Sequence, residues 1–253
     1  MPKYKLTIEY DGTGFAGWQR QVEDPSIQAS LIAAVKKFCG ETVDVVGAGR
    51  TDAGVHATAQ VAHIELSKEH DPFRIMQGLN FHLMSEETAP PTTNQITVVN
   101  AEAVEDNFHA RFSATSRSYV YRIMNRRARL GLDIGRAWHV AEVLDVETMQ
   151  EAANLLIGDH DFSSFRDSQC QAKSPVKTME KLQVQRNGNE IRIYAHARSF
   201  LHHQVRIITG TLVLVGKGKW QVSDVQKALD AKERKAAGIT APPEGLYLIG
   251  VGY

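Results

Sequence analysis

At 253 residues the chain is long enough for one large domain or two small ones. Hydrophobic residues at 43% and charged residues at 23% are ordinary for a soluble globular protein, and 29 Lys and Arg against 29 Asp and Glu leave no global charge to signal nucleic acid. Two cysteines, Cys39 and Cys170, are too few for a disulfide framework or a cysteine-based zinc site. No apolar run approaches the roughly 18 residues that span a bilayer, and the first eleven residues mix Lys3, Lys5, Glu9 and Asp11 into a strand pattern unlike a signal peptide, so a cytoplasmic protein off the membrane is expected.

Tyr4 to Tyr10 alternates as a first strand, with Leu6, Ile8 and Tyr10 on one face. Gly12 to Gly17 then matches G-x-G-x-x-G, but no helix opens at the glycines and the next strand ends in Val46-Gly47 without an acid for a ribose. A nucleotide cofactor is rejected on those grounds. Trp18 to Gln21 forms a loop rich in planar and hydrogen-bonding groups. A helix is predicted next, with Asp24 as cap, Pro25 at its first position and an apolar stripe of Ile27, Leu31, Ile32, Val35 and Phe38.

Between two strand-like runs, Thr42 to Val46 and Gln60 to Leu66, lies Gly49 to Ala57, G-R-T-D-A-G-V-H-A. It reads as a tight connection that lifts Asp52 out of a sheet, with Gly49 and Gly54 supplying backbone freedom. Arg50 places a cation near the carboxylate, and Ala48, Thr51, Ala53 and Ala57 leave room for something large to approach. An ordinary turn whose Asp bonds only its own backbone is the alternative. Asp71-Pro72 starts a second helix carrying Phe73, Ile75, Met76 and Leu79; Pro90-Pro91 breaks the chain, and Ile96 to Val104 is a further strand. Strand, helix, strand, strand, helix, strand is the split βαβ, ferredoxin-like order, here a domain over residues 1–107 with an antiparallel sheet and both helices on one face.

The second half, 108–253, mixes strands and helices in a way that could echo the first. A strand, Ser116 to Asn125, leads to a basic loop, Arg126 to Arg136. From Arg111 to Arg136 the cations are Arg111, Arg117, Arg122, Arg126, Arg127, Arg129 and Arg136 against one acid, Asp133, with Tyr119 and Tyr121 interleaved. This is a local phosphate-binding surface with stacking groups, or else a solvated strand face. Asp145 caps a helix with Met149, Ala152, Ala153 and Leu156 on one face, stopped by Gly158. Gly158 to Arg166 reads as a loop whose Asp159-His160-Asp161 run serves capping and turns rather than a metal. Met179 to Arg186 and Glu190 to Ala197 form a hairpin around Asn187-Gly188-Asn189. Ser199 to Val215 is the longest predicted helix: Leu201, Val205, Ile208, Leu212 and Val215 make the buried stripe, and His202, Arg206 and Thr209 a second one turned away from it. His202 and His203 should then point in different directions and form no paired metal site. Ser223 starts a last helix, Pro242-Pro243 interrupts, and Gly245 to Tyr253 closes with a strand.

Several separate blocks resemble one family. They are Y-D-G-T-G-F-x-G-W-Q-R-Q (Tyr10 to Gln21), the Gly49 to Ala57 block, F-H-A-R-F-S-A (Phe108 to Ala114), R-S-Y-V-Y (Arg117 to Tyr121), G-D-H-D-F-S-S-F-R (Gly158 to Arg166), F-L-H-H-Q-V-R (Phe200 to Arg206) and E-G-L-Y-L (Glu244 to Leu248). In this order they are similar to the tRNA pseudouridine synthase I family. The resemblance implies isomerisation of uridine to pseudouridine at positions 38–40 of the anticodon stem-loop of transfer RNA, without cofactor or metal. It implies a homodimer, two ferredoxin-like α+β domains per chain with largely antiparallel sheets flanked by helices, and a cleft between the domains. The family's catalytic Asp falls on Asp52, its active-site Tyr on Tyr119, its active-site Arg on Arg206, and the Arg linked to RNA engagement and base flipping on Arg50. Departures at Ala57, Gln204 and the short C-terminus concern filler positions.

The residues suit that chemistry. Breaking the N1–C1′ bond, turning the uracil and joining C5 to C1′ is redox-neutral, and the base must first leave its stack at a cost of a few kcal/mol. Asp52 is expected as nucleophile, or as the base that starts the reaction; burial would raise its pKa and an opposing guanidinium, Arg206, would favour the charged form. Tyr119 offers a ring to stack and a phenol for proton transfer, and Arg126 and Arg127 are expected to contact RNA. Two other classes compete: a non-catalytic RNA-binding module of ferredoxin-like fold, and a glycoside or nucleoside hydrolase, which would need a second carboxylate such as Asp159, Asp161 or Glu244.

Overall fold

A computed structural model describes residues 1–84 and 95–253; the expected break at Pro90-Pro91 lies outside the described residues. The chain divides into two compact units, 1–115 with 248–253, and 116–247.

In the first unit, strand β1 (Lys3–Tyr10) buries alternate residues Tyr4, Leu6, Ile8 and Tyr10, as a strand with one face on a core must. It pairs antiparallel with β3 (His56–Glu65) on one side and β4 (Ile96–Val104) on the other, and the two-residue β2 (Val46–Gly47) pairs antiparallel with β3. Strand β1 thus lies between β4 and β3, and β2 pairs with β3 beside the main run of the sheet. Helices α1 (Ile27–Cys39) and α2 (Pro72–Leu83) pack on each other so closely that a Cβ on Gly78 would run into the Phe38 ring. Asp71 caps α2 as expected, accepting from the Phe73 amide at 2.8 Å. The cap of α1 is Ser26, whose hydroxyl accepts from the Ala29 amide at 3.3 Å, rather than Asp24. Pro25 thus precedes the cap instead of filling the first helical position. The strand expected from Thr42 shrinks to β2, and β3 begins four residues before Gln60, inside the Gly49–Ala57 block.

The segment 108–115 is sewn to the first unit. The Ala110 amide donates to His63 Nδ1 (3.1 Å), Lys3 Nζ donates to the Phe108 carbonyl (3.0 Å), and the chain's last residues return: the Thr115 amide donates to the Gly252 carbonyl and the Tyr253 hydroxyl to the Ala110 carbonyl, each at 2.8 Å.

The second unit starts with β5 (Ser116–Asn125), which pairs antiparallel with β9 (Glu190–Ala197); β9 pairs with β8 (Val176–Asn187) and β8 with β7 (Gly158–Asp161). A short β6 (Trp138–Val140) runs parallel to the end of β5. Helices α3 (Val146–Asn154), α4 (Gln204–Gly216) and α5 (Val222–Ala231) belong here, and β10 (Leu246–Gly252) ends the chain. Setting β6 and β7 aside, the run β5-α3-β8-β9-α4 repeats β1-α1-β2-β3-α2, and the pairing β5-β9-β8 repeats β1-β3-β2.

Three local expectations fail for identifiable reasons. Gly158–Asp161 is an edge strand rather than a loop: its polar side chains carry no apolar alternation, and its backbone pairing with Val176–Met179 alone defines it. Helix α4 starts at Gln204, not Ser199, because His203 adopts φ 61°, a left-handed conformation outside the helix. Helix α5 starts at Val222, where the Gln221 amide donates to Asp224 Oδ2 at 2.9 Å. Furthermore, α4 is buried nearly all round: Thr209 is fully buried beside Ile208 and Leu212, so the second stripe does not face away from the core as a whole.

Candidate active site

The Gly49–Ala57 block is clamped by the Tyr10–Gln21 block through backbone and buried side-chain hydrogen bonds. The Trp18 amide donates to the Thr51 carbonyl (3.0 Å), the Tyr10 hydroxyl shares a hydrogen bond with Thr51 Oγ1 (2.7 Å), and the Gly12 amide donates to His56 Nδ1 (3.0 Å). The same His56 nitrogen sits 3.1 Å from Asp11 Oδ1, a contact that is an ion pair only when the ring is protonated. Close approach explains two glycines. A Cβ at Gly17 would lie 2.5 Å from the Thr51 carbonyl oxygen on a backbone already at φ +102°, and a Cβ at Gly12 would collide with the Val55 carbonyl.

Within that clamp the turn closes itself, the Val55 amide donating to the Asp52 carbonyl at 3.1 Å with Gly54 at φ +76°. Asp52 is half-buried and Arg50 exposed. The small neighbours have a different role from the one expected. Ala48 and Ala57 are each 1% exposed and Thr51 is buried, so they fit the loop against the core instead of leaving space; of the four, only Ala53 is exposed. Trp18 is likewise no open stacking surface. It is buried with its ring over Gly47, where a Cβ would meet the indole at 2.6 Å. Gln28 ties the following residues down, its Oε1 accepting from Gln19 Nε2 (2.7 Å) and the Arg20 amide (2.8 Å).

The remaining expected site residues stand on the second unit. Tyr119 is half-buried on β5, its ring edge-on to Phe200 at 5.1 Å. Tyr121, two residues on, is fully buried: its hydroxyl donates to the Pro242 carbonyl at 2.6 Å and its ring meets Trp138 edge-on at 6.2 Å. Burial pushes its phenol far above the ordinary range; Glu244 adds to this and Arg206 opposes it. So only Tyr119 of the pair is open to a ligand. Half-buried Arg206 is locked to one backbone residue in both directions, its Nε donating to the Ala241 carbonyl (2.8 Å) and its carbonyl accepting from the Ala241 amide (3.1 Å). Arg127 is exposed, while Arg126 folds back on its own loop, Nε to the Ala128 carbonyl (3.2 Å) and Nη2 to the Arg129 carbonyl (3.4 Å).

The two histidines before Arg206 do not diverge as a helix would make them. With His203 outside the helix, the rings stack at 3.9 Å and 34°, and Asp167 approaches both, 2.8 Å from His203 Nδ1 and 3.7 Å from His202 Nδ1. Partial burial pushes the Asp167 carboxyl up, but the Gln169 amide and then His203 and His202 together hold it below the usual carboxylate range. No helix signal could have revealed this pairing; it depends on one left-handed residue. Among the described residues no helix is long and apolar enough to cross a membrane.

A mixed α/β chain of mostly antiparallel strands is consistent with what sequence comparison finds. The family model described as tRNA pseudouridine synthase matches residues 6–113 and 152–253, and the chain belongs to that family. It is 52% identical over 253 residues to proteins named tRNA pseudouridine synthase A from Brucella ovis, Brucella canis and Brucella melitensis, matching 100% of this chain and 98% of each relative.

Proposed function

We propose that the protein is a tRNA-modifying isomerase that converts uridine to pseudouridine in the RNA chain. Full-length 52% identity to proteins named tRNA pseudouridine synthase A carries this reading. In finer detail, the target is the anticodon stem-loop, positions 38–40, and the enzyme works in the cytoplasm as a homodimer of chains built from two ferredoxin-like domains. The pairing of β1 with β4 and β3 and of β3 with β2 in the first unit, and the repeat of β1-β3-β2 in β5-β9-β8, support the domain reading.

Asp52 is the proposed nucleophile. Its turn is fixed before substrate arrives, so no ordering cost falls on the reaction step. Arg206 is proposed as the cation that favours its ionised form; its Nε bond to the Ala241 carbonyl fixes the plane of the guanidinium. Tyr119 stacks on the flipped base and takes part in proton transfer, and exposed Arg50 engages the RNA as the base leaves its stack. Arg126 and Arg127 contribute to the RNA-binding surface. The test is nucleoside analysis of tRNA after incubation with the protein. An isomer retained in the chain supports the proposal; free uracil identifies a hydrolase, and unchanged tRNA that remains bound identifies a binding module.

A further inference from the structure

The loop between β5 and β6, residues 126–136, is pinned at both ends. At its start, His139 Nε2 bonds the Arg126 carbonyl (2.8 Å), and Arg126 staples the turn through the Ala128 and Arg129 carbonyls. At its end, the Arg136 carbonyl accepts from both the Tyr247 hydroxyl (2.7 Å) and Arg122 Nη1 (3.4 Å), while Asp133 Oδ1 takes Arg122 Nη2 at 3.1 Å. Arg122 is itself immobilised: its Nε bonds Glu190 Oε1 at 2.6 Å, its guanidinium lies 5.7 Å from the Tyr247 ring centre, and Glu190 is held in turn by Arg192 at 3.0 Å. Arg122 is therefore no RNA ligand, despite standing in the basic stretch.

Between these anchors the side chains point outward. Arg127 and Arg129 are exposed, and among the described residues their guanidinium groups hold no hydrogen bond or ion pair. Leu132 is 95% exposed and Ile134 70% exposed beside them. Such an arrangement, cations and apolar side chains raised on a braced backbone, is costly to leave in water and suited to a polyanion with sugar and base faces. We propose that this loop is a preorganised RNA clamp: Arg127 and Arg129 meet backbone phosphates, Leu132 and Ile134 lie against ribose and base edges, and Arg122 with Asp133 and Tyr247 positions the loop. The inference rests on the tRNA reading above and adds Arg129 as a contact and Arg122 as a positioning residue. Bracing matters because a loop ordered in advance pays less on binding.

Charge and preorganisation predict opposite signs for one substitution. Asp133→Asn removes the loop's only carboxylate, so electrostatics alone would tighten tRNA binding; loss of the Arg122 brace weakens it. The experiment measures equilibrium binding of the full-length protein to an unmodified tRNA transcript between 50 and 300 mM KCl. The expected results are about 3- to 10-fold weaker binding by Asp133→Asn, and for Arg127→Ala/Arg129→Ala a log–log salt slope shallower by roughly 1.5–2, two phosphate contacts. Asp133→Asn binding as tightly as wild type or tighter overturns the positioning role, and an unchanged slope in the double variant overturns the clamp. If Asp133→Asn fails to fold, the double variant, altered only at exposed side chains, still decides. Changed self-association with unchanged tRNA binding assigns the loop to a protein contact and also overturns the clamp. Pseudouridine formation by wild type is scored separately. If wild type forms none while tRNA binding depends on the loop, the synthase reading fails and the clamp stands.

Discussion

The two loops that matter most in this protein are fixed by different forces. The Asp52 loop is held by main-chain and buried side-chain hydrogen bonds, by a buried indole and by glycines that let one backbone lie against another. The 126–136 loop is held by side-chain charge: one arginine between two carboxylates, over a tyrosine. Backbone packing in a core has no dependence on salt and tolerates no added atoms. Ion pairs near the surface tolerate shape changes but soften with salt. A carboxylate that performs chemistry needs the first kind of support, whereas a loop that meets a polyanion can be built from the second.

The largest expected effect separates the two loops by function. Asp52→Asn should lower pseudouridine formation by about 1,000-fold or more. Its tRNA affinity should stay within a few-fold of wild type, since phosphate contacts dominate affinity. Ordinary turnover in that variant would remove Asp52 from the chemistry. Next comes Arg206→Lys, for which a loss of about 100-fold in turnover is expected from the proposed role of Arg206, because an ammonium cannot reproduce a planar fork held at the Ala241 carbonyl. Single-turnover rates check this, and near-normal rates would show that the charge alone suffices.

Glycine substitutions test the backbone packing directly. Gly17→Ala should destabilise the protein by about 2–4 kcal/mol, combining a left-handed backbone with a collision against Thr51. Gly14→Ala is the control: its φ of +81° is also unfavourable, but no atom lies within 4 Å of the added methyl, so about 1 kcal/mol is expected. Equal losses in chemical denaturation would mean that the close contact is unimportant.

The smallest effect concerns pH. His63 is held below the ordinary imidazole range chiefly by burial, with His109 and Lys3 adding to it and Glu65 opposing. Its neutral Nδ1 accepts the Ala110 amide. A base whose pKa falls on folding stabilises the native state above its unfolded value, near 6.5, and that contribution is lost as pH drops through the lower folded value. His63→Gln should therefore show a flatter decline in melting temperature from pH 7 to 5 than wild type. Parallel declines would assign the acid sensitivity elsewhere.

Most of the fold was legible because it follows alternation and caps. The strands Tyr4–Tyr10, Ile96–Val104 and Ser116–Asn125 and the caps Asp71 and Asp145 are local signals, and they appear where they are read. What was illegible depends on partners distant in sequence. Trp18 reads only as one planar group of a loop until Gly47 is placed beneath it and its ring is seen to be buried. Arg122 looks like an RNA contact until Glu190, 68 residues later, neutralises it. The Ser199–His203 stretch has helical periodicity, yet one residue at positive φ delays the helix start to Gln204 and aligns two histidines on Asp167. The G-R-T-D-A-G-V-H block singled out Asp52, but the reason for its small residues, close packing rather than open space, appeared only with the neighbouring block laid against it.

The central claim is that Asp52 starts an isomerisation at uridine in tRNA. It is tested most directly with tRNA carrying tritium at C5 of uridine, incubated with wild type and Asp52→Ala in parallel. Joining C5 to C1′ must expel that tritium. Release by wild type and none by the variant is predicted; release by both, or by neither while tRNA remains bound, would contradict the account.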